Sequence, residues 1–383
     1  MNPPGPPNSA TALDLLERLP APPPGLGPDP VDRPLVLYGA GKLGELAADL
    51  FAALGIDIAY AVDRAPPPSG LLAGRIPVLA PDRVPPPHKS SHLIAVCVVT
   101  APYRPIHGFL AESGWRRIRP VYDVLEAYAD RLPMGNGWFA GPLSAMDRER
   151  IAQVLEQWED DISRAAQLQI LAWRCLREEW LFDGAPIHLD DRYFIPPMLA
   201  ALGSQEHCLD AGAWDGTASQ QFLHRTGGAC QTLTAIEPDP DNARRLRGWV
   251  SGLPAELAAR IRVLEYALGA EDGEHAFAQG HGMASRLMAG APGTVRVRAL
   301  DGLDLPCTFA KLHLEGGELA ALAGGLDFLR RNRPKLAVTV YHSRDGLWRI
   351  PALLMEGLEN YRFYLRLHGW CGTGAVAYAI PRE

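Results

Sequence analysis

Apolar residues fall into two blocks of short unbroken runs, and between the blocks the pattern changes to a three-and-four-residue repeat. In the first block, residues 34–38 (PLVLY), 56–62 (IDIAYAV), 77–79 (PVL) and 93–99 (LIAVCVV) read as buried strands, with 118–122 as a shorter one. Helices are predicted between them at 45–54 and 106–113. In the second block, strands are predicted up to Leu209, then at 232–236, 260–264, 295–300, 309–316 and 335–342. Helices are predicted from Ala218 onward, over 243–250 and over 318–329, and the runs 362–367 and 375–380 read as a closing antiparallel hairpin. Strands that alternate with helices make parallel sheets, so the fold class is α/β with two such units. Between the blocks, Ile151, Val154, Leu155, Trp158, Ile162 and Ala165 recur at helical steps, and the pattern continues through Ile170, Trp173, Leu176 and Trp180 to Gly184. The tryptophan stripe is expected to pack between helices.

These patterns divide the chain into four regions. Residues 1–32 are rich in proline and are expected to be extended or disordered, with two helical turns at 12–19. Residues 33–130 form the first α/β unit. Residues 131–189 hold a linker marked by Pro133, Gly135, Gly137, Gly141 and Pro142, followed by the helical segment. Residues 190–383 form the second α/β unit.

Each unit carries a glycine turn between its first strand and helix. In the first unit Gly39, Gly41 and Gly44, with Lys42 and Leu43 between them, form a complete G-x-G-x-x-G, and the next strand ends in Asp63. That is the Rossmann order, which suits a nucleotide or NAD. The same order is expected equally often in a domain that keeps the fold and binds nothing, and no acid–base pair for hydride transfer accompanies it. In the second unit the turn is Asp210-Ala211-Gly212-Ala213-Trp214-Asp215-Gly216. Its D-x-G-x-x-x-G spacing suits S-adenosylmethionine, which has no pyrophosphate to cradle, better than a dinucleotide. The following strand ends in Glu237, placed to take both hydroxyls of a ribose.

Composition narrows the partners. A length of 383 residues accommodates two cores. The formal charge of −7 argues against nucleic acid, whose phosphates need a basic face. No membrane span and no secretory signal are read from the chain. The six cysteines (Cys97, Cys175, Cys208, Cys230, Cys307, Cys371) are scattered, without a C-x-x-C pair. They read as reduced core residues of a cytoplasmic protein.

From about residue 150 to 381 the chain resembles the FkbM-type S-adenosylmethionine-dependent methyltransferases. The matching pieces are 209–217, 236–239 (IEPD), 267–269 (ALG), 311–318 (KLHLEGGE), 334–342, 345–351 and 361–366, in that order. The first unit is similar to one fused to some members of that family and, more weakly, to nucleotide-sugar-binding domains. The resemblance implies a class I methyltransferase fold for the second unit, with S-adenosyl-L-methionine as cofactor. Asp210, Gly212 and Gly216 would bound its methionine end, Glu237 would hold the ribose, and Tyr266 and Ala267 would lie by the adenine. Ala213, Trp214 and Pro238 would also contact it, and Ser285 and Arg286 fit a position near cofactor or acceptor.

The implied reaction is methyl transfer to an oxygen of a sugar, glycan or secondary metabolite. His313, Glu315 and His342, at the tips of two strands, are the candidates for the base. Where the family carries aspartate in its Lys-x-Asp-x-Glu-Gly pattern, this chain has His313, so His313 is either the base, oriented by Glu315, or a core histidine in a degenerate site. No metal is assigned, because the histidines and carboxylates have no clear metal spacing in the sequence. The competing function is a nucleotide- or sugar-nucleotide-binding protein, or an NAD-dependent enzyme, acting through the first unit. The helical segment is expected to cover the pocket or to form a subunit interface, which leaves a homo-oligomer as one expectation.

Overall fold

The computed structural model describes residues 5–132, 141–280, 282 and 285–382. Helix α1 (Ser9–Glu17) precedes the first unit, β1 (Leu35–Tyr38), α2 (Lys42–Ala53), β2 (Ile58–Val62), β3 (Leu71–Leu72), β4 (Ile76–Leu79), α3 (His88–Ser91), β5 (Leu93–Val96), α4 (Tyr103–Glu112), β6 (Arg117–Pro120) and α5 (Val121–Glu126). Helices α6 (Ala145–Gln157) and α7 (Asp161–Leu176) follow. The second unit runs α8 (Pro196–Ala201), β7 (Glu206–Ala211), α9 (Thr217–Arg225), β8 (Cys230–Ile236), α10 (Pro240–Ser251), α11 (Ala255–Ala258), β9 (Ile261–Leu264), β10 (Ala267–Gly269), β11 (Gly273–Ala278), β12 (Arg286–Leu287) and β13 (Gly293–Ala299). It ends with β14 (Phe309–Leu312), α12 (Glu318–Ala323), α13 (Leu326–Asn332), β15 (Lys335–Thr339), α14 (Gly346–Gly357), β16 (Tyr361–Leu367) and β17 (Ala375–Pro381).

The central strands are unbroken apolar runs because both faces of a parallel sheet are covered by helices. Every residue of β1, β5 and β14 is buried. The first sheet has the order β3-β4-β2-β1-β5-β6, parallel except for β3. The second has the order β16-β17-β15-β14-β7-β8-β9, parallel until β17 enters antiparallel between β15 and β16. That is an α/β architecture with two Rossmann-like units, the second closed by an antiparallel hairpin. A further small sheet, β10-β13-β11-β12, takes up the run at 295–300 that the hydrophobic pattern counts among the strands of the second unit.

The two helical turns expected within the proline-rich N-terminus form α1, at 9–17 rather than 12–19. Asn8 caps α1 by accepting the Thr11 N–H, and Ala12 and Leu16 are buried in the same cluster as Ile151, Leu155 and Leu168. The prolines interrupt regular structure on either side, but the L-x-x-L spacing inside α1 gives it an apolar stripe that α6 and α7 cover. Helix α7 ends at Leu176 rather than near Gly184, because Arg177 adopts a left-handed cap (φ 58°). The guanidinium of Arg177 is paired with Asp123 of the first unit. Trp180 therefore lies outside the helix. The linker positions Pro133, Gly135 and Gly137 lie outside the described residues. All six cysteines are free and buried. Among the described residues, no helix is long and apolar enough to cross a membrane.

Candidate functional site

The second unit's glycine turn is built by a close approach of two strand tips. Lys311 on β14 sits beside Asp210 on β7 in register. Its ammonium bonds Asp210 Oδ1 at 2.9 Å and the Gly212 carbonyl at 2.7 Å, with both side chains buried. Asp210 Oδ2 accepts the Ser219 hydroxyl at 2.6 Å. Asp210 thus braces the turn from behind, and Lys311, not Asp210, reaches the cavity wall. Gly212 has φ +74°, and a Cβ there would lie 1.9 Å from the His313 carbonyl oxygen. Gly216, also left-handed (φ +85°), begins α9 beneath Leu246 and Trp249.

A cavity of about 370 Å³ opens over this turn. Gly212, Ala213, Trp214, Glu237, Pro238, Tyr266 and Ala267 all border it, as do Ser285, Arg286, His313, Glu315 and His342. Glu237 ends β8 and accepts the Trp214 N–H at 2.7 Å and the Asp239 N–H at 3.0 Å. Burial pushes its carboxyl up, against those two bonds and one from Asn242. A carboxylate has about four acceptor positions, so these donors leave capacity toward the cavity. Trp214 Nε1 is buried with no hydrogen-bond partner among the described residues. Ser285 turns its hydroxyl to Asp239 at 2.7 Å.

At the other end of the cavity, His313, Glu315 and His342 converge. The two imidazoles stack with centroids 4.8 Å apart. His313 Nδ1 is 2.7 Å from the Tyr193 hydroxyl, and its Nε2 lies 2.9 Å from Glu315 Oε1. His342 Nδ1 bonds Glu318 Oε1 at 2.9 Å, and its Nε2 is 3.6 Å from Glu315 Oε2. Burial pushes the His313 imidazole down to about 4. Burial would raise Glu315, but the facing histidines outweigh it and hold the carboxyl well below its usual range. The tip carrying His342 is fixed by buried Arg174 of α7, which donates to the carbonyls of Tyr341 and Ser343.

The first unit contributes a wall to this cavity. Leu46 and Leu50 of α2, Tyr122 and Leu132 border the same cavity. Lys42 lies over the Trp214 ring at 5.7 Å. Gly39 (φ +107°) and Gly44 make the close helix–loop contact that a Cβ on Gly44, 2.3 Å from the Gly39 carbonyl, would block. Gly41 and Leu43 complete the turn at the start of α2. Asp63 accepts the Ala40 N–H at 2.7 Å and the Ala65 N–H at 2.9 Å, so its carboxylate closes its own loop, and it borders no described cavity. The helical segment, expected to cover the pocket or to form a subunit interface, packs on α1, α14 and β16 and does not line this cavity.

Tyr193, Arg192, Tyr341 and Glu318 are members of the site that the sequence pattern does not single out. Glu318 alone carries a cue, since it closes the run KLHLEGGE that begins at Lys311.

Comparison with known proteins agrees with this layout. Residues 210–369 match the profile of the methyltransferase FkbM domain. No curated protein matches the chain. The crystal structure of a methyltransferase FkbM from Methylobacillus flagellatus KT has the same fold, with a TM-score of 0.64 at 19% identity over 97% of this chain and 98% of that one. The methyltransferase domain of bacterial CtHen1 aligns with 47% of this chain and 91% of its own at 11% identity, with a TM-score of 0.30.

Proposed function

The chain carries a methyltransferase FkbM domain, and from that premise we propose that it is an S-adenosylmethionine-dependent O-methyltransferase acting on a hydroxyl of a sugar, glycan or secondary metabolite. The observation that carries this is Glu237 bordering the cavity beside the Gly212 turn, in no ion pair among the described residues, with the His313–Glu315–His342 cluster in the same cavity. The residues fit the cofactor. Glu237 has acceptor capacity for ribose hydroxyls, the unpartnered Trp214 Nε1 is a donor in the wall, and Tyr266 and Ala267 supply an apolar face.

When bound, S-adenosylmethionine supplies an activated methyl group, so the protein's task is alignment more than activation. Leu46, Leu50 and Leu132 give an apolar wall against which an acceptor can be held. The polar cluster receives the hydroxyl and its proton. Burial holds the His313 imidazole toward its neutral form and the facing histidines hold Glu315 toward its ionised form, so each can accept a proton when no ion occupies the cluster.

Calorimetric titration with S-adenosylhomocysteine tests the cofactor. Glu237→Ala should weaken binding by about 10- to 100-fold, as loss of hydrogen bonds to a charged group does. Unchanged affinity would remove the basis of the reading. Mass spectrometry with an isotopically labelled methyl donor, run over glycans, sugar nucleotides and hydroxylated metabolites, identifies the acceptor.

A further inference from the structure

The histidines and carboxylate at the polar end of the cavity bring three possible metal-ligand atoms together. Glu318 accepts N–H donors from Leu314 and Gly316 and the Thr339 hydroxyl, so it is fixed as an acceptor, and the His342 Nδ1 facing it carries the proton. The lone pair of a neutral His342 is then on Nε2, turned toward Glu315 Oε2 at 3.6 Å. His313 Nε2 meets the other oxygen of the same carboxylate at 2.9 Å. A proton or a metal ion supplies the positive charge that atoms this close to a carboxylate call for, and three ligand atoms so grouped suit the ion. Glu315 is held in this position by a left-handed backbone (φ 50°), a conformation that costs about 1–3 kcal/mol in a residue with a side chain.

We propose that His313 Nε2, His342 Nε2 and the Glu315 carboxylate form a binding site for one first-row divalent transition-metal ion, such as Zn²⁺, Mn²⁺ or Fe²⁺. The three donors lie within 4.8 Å of one another. Ligands about 2.0–2.2 Å from a common ion stand roughly 2.8–3.6 Å apart; the contacts to Glu315, one to each of its oxygens, are 2.9 and 3.6 Å, and the two stacked imidazoles would turn toward the ion on binding it. Both imidazoles have the outer partners that metal-bound histidines require, Glu318 on His342 and the Tyr193 hydroxyl on His313. Two imidazoles and one carboxylate leave open positions toward the cavity. Arg192 and Arg286 border the same cavity, so the two carboxylates do not make it strongly anionic, and selectivity rests on the imidazoles. That choice of donors excludes Mg²⁺ and Ca²⁺, which require oxygen ligands. The ion would supply Lewis acidity where an acceptor hydroxyl loses its proton, and only this role rests on the methyltransferase reading.

The test is metal binding by the full-length protein after chelator treatment. Co²⁺ titration should give one bound ion per chain, with the visible absorption of a nitrogen- and oxygen-ligated ion, and Zn²⁺ should displace it. Glu315→Gln and His342→Ala should each weaken binding by about 10-fold or more. Glu318→Gln, acting through His342, should weaken it by about 10- to 100-fold. Circular dichroism on each variant separates lost ligands from lost folding, and Glu315→Gln changes the least volume. An absent Co²⁺ spectrum, equal affinity in wild type and Glu315→Gln, or preference for Mg²⁺ would overturn the proposal. Titration of the same metal-free protein with S-adenosylhomocysteine keeps the two readings apart. Cofactor binding without metal binding overturns the ion site alone, and metal binding without cofactor binding overturns the methyltransferase reading alone.

Discussion

At Gly212 a single hydrogen stands where any side chain would collide with the neighbouring strand tip. A methyl group there would meet the His313 carbonyl oxygen at 1.9 Å, and the left-handed backbone adds strain for any L residue. Gly212→Ala should therefore lower unfolding free energy by at least about 3 kcal/mol in a urea titration, the size expected when backbone and packing conflict together. A loss below about 1 kcal/mol would mean that the turn can open away from β14. Lys311 is the complementary case. Its ammonium neutralises Asp210 within the core and ties the Gly212 carbonyl. Lys311→Met should cost about 3–5 kcal/mol because a buried carboxylate loses its counter-charge. Adding Asp210→Asn should recover part of that loss, since the uncompensated charge is then gone. A double variant no more stable than Lys311→Met would show that the lysine acts through packing.

Two helices illustrate how contacts outside an element decide its existence and its limits. Helix α1 has only nine residues, too few to persist alone in water. Its stability comes from Ala12 and Leu16 in the core beneath α6 and α7, so Leu16→Ala should destabilise the second unit by about 2–4 kcal/mol. A disordered tail would give no change. At the start of α7, burial would raise the Asp160 carboxyl, but bonds from Arg366 and Ser163 outweigh it and hold it below the usual value. A folded-state pKa below the unfolded one contributes stability above the unfolded value, and that stability is lost as pH falls. The difference in melting temperature between wild type and Asp160→Asn should be full at neutral pH and should shrink below about pH 4. The main parallel strands of both units, the closing hairpin and the glycine turns were legible in the sequence because local apolar runs and glycine spacing encode them. Docking of α1 was not, because its partners lie more than a hundred residues away and proline composition dominates the local pattern. The end of α7 was not either, since it depends on Asp123 in the other unit. Of the site, Glu237, the Gly212 turn, His313, Glu315 and His342 were legible as strand tips, and all border one cavity. Their convergence into one ligand set, with Tyr193 and Glu318 behind it, follows from strand register and crossover, which spacing along the chain does not reveal.

The two units are joined by contacts that tie the shared cavity to the whole molecule. The Asp123–Arg177 pair is buried at 2.9 Å, and Glu179 accepts the first backbone donors of α4 from Tyr103 and Arg104. The Trp370 N–H bonds the Val99 carbonyl at 2.8 Å. With the units held in this way, the side of α2 carrying Leu46 and Leu50 stays over the cavity, where it can meet an acceptor. This yields a prediction that separates it from a passive fusion. Leu46 is half-buried, so Leu46→Trp adds bulk at the wall without overfilling a sealed core. If that wall touches the acceptor, the substitution should lower kcat/KM for the acceptor by about 10-fold or more, while leaving S-adenosylhomocysteine affinity within about 3-fold of wild type. A steric misfit in an apolar recognition pocket is worth roughly 1–3 kcal/mol, which covers that change. Calorimetry and steady-state kinetics on one preparation give both numbers. A fall in cofactor affinity in proportion would place Leu46 against the cofactor. No change in either would mean that the first unit borders the cavity without shaping what enters it.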